Sequence, residues 1–485
     1  MLIHAAEVGD RCLDLRCKDG FIVELADHIA ARPEEIEIDA RGGALLPGLH
    51  DHHIHLFSLA AAFASVACGP PEIESREALA ETLRAATPIE GWLRGTGYFE
   101  SVAGPLDRAQ MDLLCDAHPL RIQHRSGAMW FLNSRAIEAL GIDGDNAVED
   151  NAIEKAIDNT HDSPPGIERD AAGRSTGRLF RADAWLRARL PSSSPPGLGA
   201  VGSFLARCGV TRITDATPSN GNAEAALFRA AQTSGALPQR LRLMGDLSLT
   251  STDASDMLDI GEYKILLDEP ALPEFDELVT RIRHAHDADR CVALHTVTRT
   301  EIHFAIAAVE AAGPKSGDRL EHASVAPQEA VESVARLGIS IVTQPGFVAE
   351  RGDAYQIEVE GRDLPHLYRV QSWLDADIRL AAGTDAPFGD PDPWRAMHAA
   401  VTRSTRSGRT LGAAEIVSPE AALELFRDDL SAVPSRGLPL ARLSVGQRAD
   451  LCLLDTPWRK ARQNLSRDRV VMTICAGKVI WSGLA

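Results

Sequence analysis

Paired cysteines, a leader segment and long apolar runs are all missing from this sequence. None of its eight cysteines forms a Cys-x-x-Cys pair, and a chain of this size does not need disulfide staples, so their scatter is typical of reduced thiols in a cytosol. No apolar run approaches the roughly 20 residues needed to cross a bilayer. Residues 1–7 lack the basic and apolar pattern of a signal peptide. We therefore predict a cytoplasmic protein without a membrane segment.

Positive charge is in deficit. Lys and Arg number 50 against 69 Asp and Glu, which gives a net charge of -19, and no Lys/Arg run offsets it. An acidic chain of this kind repels phosphate backbones, which argues against a nucleic-acid partner. Hydrophobic residues make up 45% of the 485 positions, so a sizeable core can form. The length suits one large domain with a smaller one, although an α/β barrel can exceed about 250 residues as one unit.

Strand-like segments and turns occupy both ends of the chain. Residues 20–25 follow an Asp-Gly turn signal, which is typical of a hairpin. Near the other end, 449–455 and 470–475 are further apolar strand candidates. The simplest account is one small β-sandwich domain formed from residues 1–46 and 438–485.

The middle of the chain, residues 47–437, alternates apolar strand candidates with helical stretches. Such alternation predicts a parallel sheet with right-handed crossovers, and eight units predict an α/β fold of the (β/α)8 TIM-barrel type. About 150 residues separate the first strand from the second, so we predict an inserted subdomain at about 60–200. The strands are the one carrying His53, then 210–215, 240–245, 263–267, 291–295, 319–322, 339–344 and 379–384; helices lie at 275–288, 300–312, 327–337 and 394–404.

The most informative motif is the apolar run with a Pro-Gly turn and several histidines at residues 46–56. It places His53 and His55 two positions apart, and side chains at i and i+2 of a strand point to one face. Two neutral imidazoles on one face can ligate one divalent metal ion. An isolated pair would more often be a histidine-rich surface turn, but this one follows a strand that enters a core, which favours the metal site.

Further ligand-type residues recur where the other strands end. A barrel places its active site at the carboxyl ends of its strands, and this pattern therefore predicts one shared metal site rather than several separate features. The predicted ligands are His53, His55, Lys264, His295, His322 and Asp385.

Taken singly, these residues have simpler interpretations. His295 could be a hydrogen-bonded core histidine, and His322 could pair with Glu321 for orientation only. Asp385 could cap the next helix, and Lys264 could extend along a barrel rim to reach solvent. Only their recurrence in order at successive strand ends favours the metal site.

That order resembles the amidohydrolase superfamily of metal-dependent hydrolases, and the resemblance covers nearly the whole chain. The opening motif at 51–55 and the return at 446–451 carry it. The chain also resembles the branch that contains N-substituted formamide deformylases, through residues 91–98, 133–137, 209–216 and 264–268.

The resemblance implies a binuclear site. One ion would be held by His53 and His55 with Asp385 close to it, and the second by the other two histidines. Lys264 would be carboxylated, giving an anionic carbamate that bridges both ions. A mononuclear site with unmodified Lys264 remains an alternative. The nitrogen-rich ligand set favours zinc, although iron, manganese or cobalt would also fit.

The resemblance further implies an amidohydrolase acting on carbon–nitrogen bonds other than peptide bonds, in an amide, formamide or related N-acyl substrate. A metal-bound hydroxide would attack the carbonyl, and Asp385 would move the proton. Hydrolysis of an ester, carbamate or lactone at the same site stays open. A Schiff-base lyase using Lys264 or a non-catalytic scaffold would leave the histidines without a role.

Substrate contacts are predicted from composition alone. Tyr98, Trp130 and Phe131 suit an apolar or aromatic substrate, but they would equally serve as the core of the insertion. Arg178 and Arg299 could grip a carboxylate, with surface solvation as the alternative.

The predicted partner is a small-molecule substrate, with neither nucleic acid nor membrane involved, and the sequence is compatible with a homodimer. The segment 346–368 after the seventh strand is long and contains three glycines, which predicts either a lid or an ordinary surface loop.

Overall fold

The structure is a computed structural model without ligands. The predicted domain boundary at residue 438 lies outside the residues that the structure describes, as do parts of the predicted insertion. The described residues are 1–70, 72–143, 166–190, 195–250, 254–426 and 443–484.

The strands of the described residues form four sheets. In chain order they are β1 (Leu2–Val8), β2 (Arg11–Lys18), β3 (Phe21–Ala26), β4 (Glu37–Asp39), β5 (Leu45–Pro47), β6 (Leu49–Ile54), β7 (Val66–Ala67), β8 (Leu93–Tyr98), β9 (Leu120–His124), β10 (Met129–Leu132), β11 (Ile167–Arg169), β12 (Ser175–Phe180), β13 (Val210–Asp215), β14 (Arg240–Gly245), β15 (Leu258–Ile265), β16 (Val292–Thr296), β17 (Arg319–His322), β18 (Ser340–Thr343), β19 (Leu380–Ala382), β20 (Leu451–Leu454), β21 (Val470–Cys475) and β22 (Lys478–Ser482).

Helices follow most of the strands in the middle of the chain. They are α1 (Leu56–Phe63), α2 (Arg76–Ala85), α3 (Glu100–Ala103), α4 (Arg108–Leu114), α5 (Ser134–Ala139), α6 (Asp183–Arg189), α7 (Gly199–Arg207), α8 (Asn222–Thr233), α9 (Phe275–Asp287), α10 (Arg299–Ala312), α11 (Gln328–Leu337), α12 (Gly346–Glu358), α13 (Gln371–Asp375), α14 (Pro393–Thr402), α15 (Pro419–Glu424) and α16 (Trp458–Ala461). None of these helices has the length and apolar character needed to span a bilayer.

An eight-stranded parallel barrel occupies the middle of the chain, with the order β6-β13-β14-β15-β16-β17-β18-β19. Every neighbouring pair is parallel. Beyond the last strand, the Asp385 amide donates to the His53 carbonyl at 2.7 Å and the His55 amide donates to the Ala386 carbonyl at 2.9 Å. These bonds bring the last strand back to the first, and the predicted TIM-type (β/α)8 barrel is confirmed.

Local sequence explains why these elements form. Several barrel strands are continuous buried runs, as in β18, where all four residues are buried, because both faces of a parallel sheet are covered. Helix α10 begins at a capping box in which the Thr298 hydroxyl accepts the Glu301 amide and the Glu301 carboxylate accepts the Thr298 amide. These bonds satisfy amide groups that the first helical turn leaves unpaired.

One barrel strand begins earlier than the predicted position 263. β15 starts at Leu258 and includes polar residues that the apolar pattern missed. The Asp259 carboxylate accepts a hydrogen bond from Arg212 at 2.6 Å, and Glu262 accepts one from Arg242 at 3.0 Å. Charged pairs between strands therefore replace apolar packing over this stretch.

Strands from both ends of the chain form two four-stranded sheets, ordered β3-β2-β1-β4 and β22-β21-β20-β5. One apolar core joins them, with Ile3 and Leu15 from the first sheet and Leu45, Leu451 and Ile474 from the second. Two sheets that share one core in this way are a small β-sandwich.

Residues Phe57–Gly197 form a compact unit separate from the rest of the chain. Its described part contains a six-stranded sheet of order β11-β12-β10-β9-β8-β7, with its own apolar clusters. The exact domain limits stay a prediction.

The segment 346–368 is mostly helical, so its interpretation as an ordinary surface loop is wrong. Its first 13 residues form α12. Gly352 allows this helix to pack closely, because a Cβ atom there would lie 2.6 Å from Thr405. Gly352 therefore serves helix packing, and a lid motion stays a prediction.

Gly383 gives a test of barrel closure. A Cβ atom at this position would lie 2.5 Å from the His53 amide nitrogen, so Gly383→Ala forces the last and first strands apart. We expect a loss of about 1–3 kcal/mol in the free energy of unfolding, as for other overpacked sites. Thermal unfolding would measure it, with Gly361→Ala as control because a Cβ atom there meets nothing within 4 Å. Equal melting temperatures for the two variants would contradict the closure described here.

Candidate metal centre

Two histidines at the end of the first barrel strand converge on one carboxylate. The side chain of His53 lies in the barrel interior, and the residue is 1% exposed. Its Nε2 lies 3.4 Å from Asp385 Oδ1, and the His55 Nε2 lies 3.3 Å from the same oxygen. One ligand atom from each of the three residues falls within 4.8 Å of the others. This trio is therefore a candidate metal site.

The other two predicted histidines lie beside the trio. The ring of His322 is centred 4.7 Å from that of His53 and 4.4 Å from that of His295. Its Nδ1 is 3.9 Å from Asp385 Oδ2. The four imidazoles thus form a continuous cluster at the carboxyl ends of β6, β16 and β17.

Lys264 completes the cluster from β15. Its side chain is buried, and its Nζ has no hydrogen-bond partner among the described residues. Burial lowers the pKa of Lys264 to about 8, against the opposing influence of the nearby Glu321 carboxylate. An unpaired buried amine is costly, and such a group is a sign of a missing ligand or modification.

Each of three rings is held through its Nδ1 atom. A hydrogen bond on one ring nitrogen fixes the orientation of the ring and directs the other nitrogen to a metal. The Nε2 atoms of His53 and His55 accordingly face Asp385. The Nδ1 pairs are His53 with Glu321, His55 with Thr217 at 3.0 Å and His322 with Gln344 at 2.8 Å.

Burial also sets the protonation of the rings. It lowers the pKa of His53 well below the ordinary value, with the positive charge of Lys264 as a further cause. It lowers the pKa of His322 in the same way. Neutral imidazole is the form that binds a metal ion, so these rings need no deprotonation at neutral pH.

Backbone strain marks the same place. Asp385 has φ 54° and His322 has φ 68°, both in the left-handed region that residues other than glycine seldom adopt. Asp51 helps to hold the first of them, because its carboxylate accepts hydrogen bonds from the Thr384 amide at 3.0 Å and the Thr384 hydroxyl at 2.5 Å. Strain that surrounding bonds maintain is characteristic of functional sites.

The spacing of the trio fits a divalent ion. Nitrogen and oxygen ligands about 2.0–2.1 Å from a tetrahedral zinc ion are about 3.3 Å apart. The two separations between histidine Nε2 and Asp385 Oδ1, 3.3 and 3.4 Å, match this value. The donor set and the unpaired Lys264 amine fit a metal centre.

Comparison with known proteins places the chain in a family. The model of the amidohydrolase family matches residues 37–481. The chain belongs to this family. The resemblance inferred from the motifs is confirmed.

Individual relatives agree with this assignment. The amidohydrolase is 28% identical to an N-substituted formamide deformylase of Arthrobacter pascens, over 88% of this chain and 86% of the relative. It shares its fold with a solved metal-dependent hydrolase from Pyrococcus horikoshii OT3, at 18% identity and a TM-score of 0.72 over 94% and 97% of the two chains. Atrazine chlorohydrolase TrzN from Arthrobacter aurescens TC1, solved with zinc, has the same fold at 14% identity and a TM-score of 0.53, over 100% and 96%.

The predicted aromatic substrate contacts lie inside the inserted unit of the amidohydrolase. Tyr98, Trp130 and Phe131 are at most 4% exposed, and Tyr98 stacks edge-on against Phe131 with ring centres 5.4 Å apart. The Trp130 Nε1 donates to Asp183 at 2.9 Å. These contacts support the alternative that they are core residues, and a substrate role stays a prediction.

The two predicted arginines already have partners. Arg178 donates to the Leu106 carbonyl at 2.7 Å and lies 3.3 Å from Glu168. Arg299 pairs with Asp363 and, at 3.3 Å, with Glu329. Their binding of a substrate carboxylate stays a prediction.

Several contributors were missed from the sequence. Gln344 directly follows β18, and Thr217 comes two residues after β13, so both obey the strand-end rule that identified the histidines. They escaped notice because amides and hydroxyls are seldom metal ligands. Glu321 was considered only as a partner of His322, but it bonds His53 instead.

Glu321 gives a test of the orienting bonds. We expect Glu321→Gln to weaken zinc affinity about 10- to 100-fold, because partners that orient ligating histidines have effects of this size. Competition with a fluorescent chelator would measure the change. Glu310→Gln, at an exposed pair with Arg336, is the control. An unchanged zinc affinity in Glu321→Gln would show that the bond to His53 does not support the site.

Proposed function

We propose that this amidohydrolase is a metal-dependent enzyme that hydrolyses a carbon–nitrogen bond of an amide, formamide or related N-acyl substrate. The convergence of four imidazoles, Lys264 and Asp385 at one end of the barrel carries the proposal. The formamide deformylase relative supports the choice of bond.

We propose His53, His55 and Asp385 as ligands of one ion, and His295 and His322 as ligands of a second. Lys264, carboxylated on its amine, would bridge the two, which removes the cost of an unpaired buried ammonium beside cations. Zinc suits the nitrogen-rich set and occurs in a solved protein of the same fold. When bound, such ions acidify water and polarise a carbonyl.

Asp385 is the proposed proton carrier. Its Oδ1 atom lies between the Nε2 atoms of His53 and His55 and has no hydrogen-bond partner among the described residues, so this oxygen would ligate an ion while the other oxygen of the carboxylate accepts a proton from the attacking water. The carboxyl then donates this proton to the departing amine nitrogen, as general acid–base catalysis requires. The left-handed backbone at Asp385 and the hydrogen bonds that Thr384 donates to Asp51 keep the Asp385 carboxylate in place.

The alternatives use fewer of the assembled groups. A Schiff-base lyase would need only the Lys264 amine and leaves the oriented imidazoles without a role. Hydrolysis of an ester, carbamate or lactone needs the same groups and is a second outcome of the substrate screen.

A cytoplasmic location is proposed on the basis of the eight cysteines, all of which are free thiols.

Elemental analysis combined with a substrate screen tests this function. We expect the purified protein to bind two equivalents of a divalent metal and to release amines from N-formyl or N-acyl amines. Chelator treatment should remove both the metal and the activity, and added zinc should restore them. A metal-free protein that forms a borohydride-trapped adduct with a carbonyl substrate would instead establish the lyase.

Asp385→Asn tests the proton transfer. Since general acid–base groups contribute about 10²- to 10⁴-fold, we expect kcat to fall by at least 10²-fold. Metal content should be measured on the same sample, because Asp385 is also a proposed ligand. The control is Asp289→Asn, at an exposed pair with Lys315. Normal turnover by a fully loaded Asp385→Asn variant would exclude this role.

A further inference from the structure

A guanidinium group lies beside the candidate metal centre without a role so far. In sequence, helix α12 follows β18 and comes between His322, the last residue of β17, and Asp385, which follows β19. From this helix Arg351 donates to the Phe388 carbonyl. The Phe388 ring meets the His55 ring edge-on, with centres 5.5 Å apart. Arg351 therefore belongs to the wall of the same barrel mouth.

The charge of Arg351 is not neutralised by a close carboxylate. Among the described residues no Asp or Glu lies within ion-pairing distance of it, in contrast to Arg299, which has two carboxylate partners. The adjacent Glu350 accepts the Asp390 amide at 3.1 Å instead. Burial raises the pKa of Glu350 to about 7, which weakens its charge at neutral pH. Arg351 thus keeps its positive charge without a close carboxylate partner, and it is hydrogen-bonded to Tyr355.

Two tyrosine hydroxyls lie next to this group. Tyr355 follows Arg351 by one helical turn, and its hydroxyl is 3.2 Å from that of Tyr368. The Phe347 ring packs against the guanidinium and against Tyr368. Its centre lies 4.3 Å from the Arg351 guanidinium carbon and 5.6 Å from the centre of the Tyr368 ring. The result is a cation and two hydroxyls against an aromatic surface.

The backbone of Tyr368 is held in an unfavourable conformation. Its φ is 43°, which costs free energy in a bulky residue. The fully buried Arg403 donates to the Tyr368 carbonyl at 2.7 Å. The Tyr368 amide donates to the Ser324 carbonyl at 2.9 Å. This support keeps the hydroxyl beside Tyr355 and Arg351.

We propose that Arg351 and Tyr355 form a subsite that binds a carboxylate of the substrate next to the scissile bond, with the buried Tyr368 positioning the Tyr355 hydroxyl. This proposal rests on the hydrolase function proposed above and narrows its substrates to N-acyl compounds that also carry a carboxylate. A guanidinium binds a carboxylate through two parallel hydrogen bonds, and the aromatic surface suits an adjoining apolar group. The subsite gives the carboxylate-binding role to Arg351 rather than to Arg178 or Arg299.

A matched pair of substrates tests the subsite. N-formylphenylalanine carries a carboxylate where N-formylphenylalaninamide carries a neutral amide, and the two compounds are otherwise the same. We expect the metal-loaded protein to favour the acid, and Arg351→Gln to lower the ratio of the two kcat/KM values by about tenfold or more. Arg351→Lys should restore part of the ratio, and the exposed control Arg336→Gln should leave it unchanged. An equal loss for both substrates in Arg351→Gln would overturn the proposal, because a merely structural role predicts it.

A binding measurement separates this proposal from the proposed function. If the metal-loaded protein hydrolyses neither compound, calorimetry with phenylacetate and 2-phenylethanol, which contain no scissile bond, still tests the subsite. Tighter binding of phenylacetate that Arg351→Gln and Tyr355→Phe both weaken would support the subsite while the hydrolase function fails. Phenylacetate binding that is absent, or that is unaffected by Arg351→Gln, would overturn it.

Discussion

A buried chain of charges supports the candidate metal centre. Arg319 and Glu321, at most 2% exposed, pair inside the barrel, and Glu321 also binds the His53 ring. Arg319 donates in addition to the His52 carbonyl at 3.0 Å. The same arginine therefore holds both the backbone of the first strand and, through Glu321, the side chain of the candidate ligand His53. Removing one member of a buried pair costs about 3–5 kcal/mol, so this contact couples the geometry of the site to the stability of the barrel.

The site combines an acidic protein with a locally cationic interior. The chain carries a net charge of -19, yet Arg319 and Arg351 lie around its candidate centre. Glu321 and Asp385 offset part of this charge. Such a balance suits the proposed function, because cations of the protein would attract an anionic substrate and carboxylates would retain a metal ion. The buried setting strengthens each of these interactions relative to water.

The sequence predicted most of this barrel because its strands are buried on both faces and their apolar runs need no partner to be recognised. The candidate ligands followed from one rule about strand ends. What escaped prediction depends on contacts between distant segments. The early start of β15 involves ion pairs with Arg212 on β13 and Arg242 on β14, and α12 packs where Gly352 lets Thr405 approach closely. The left-handed conformation of Tyr368, which depends on Arg403, has no local signal at all.

The closure of the barrel has a consequence for how the protein is made. The bond from Thr384 to Asp51 joins residues 333 positions apart. In sequence, the inserted unit also separates the first strand, β6, from β13, its other neighbour in the barrel. During translation the histidines of the first strand leave the ribosome long before Asp385 exists. Contacts of such long range form late in folding. The nascent chain consequently lacks the complete set of candidate ligands until the whole barrel has been synthesised and closed.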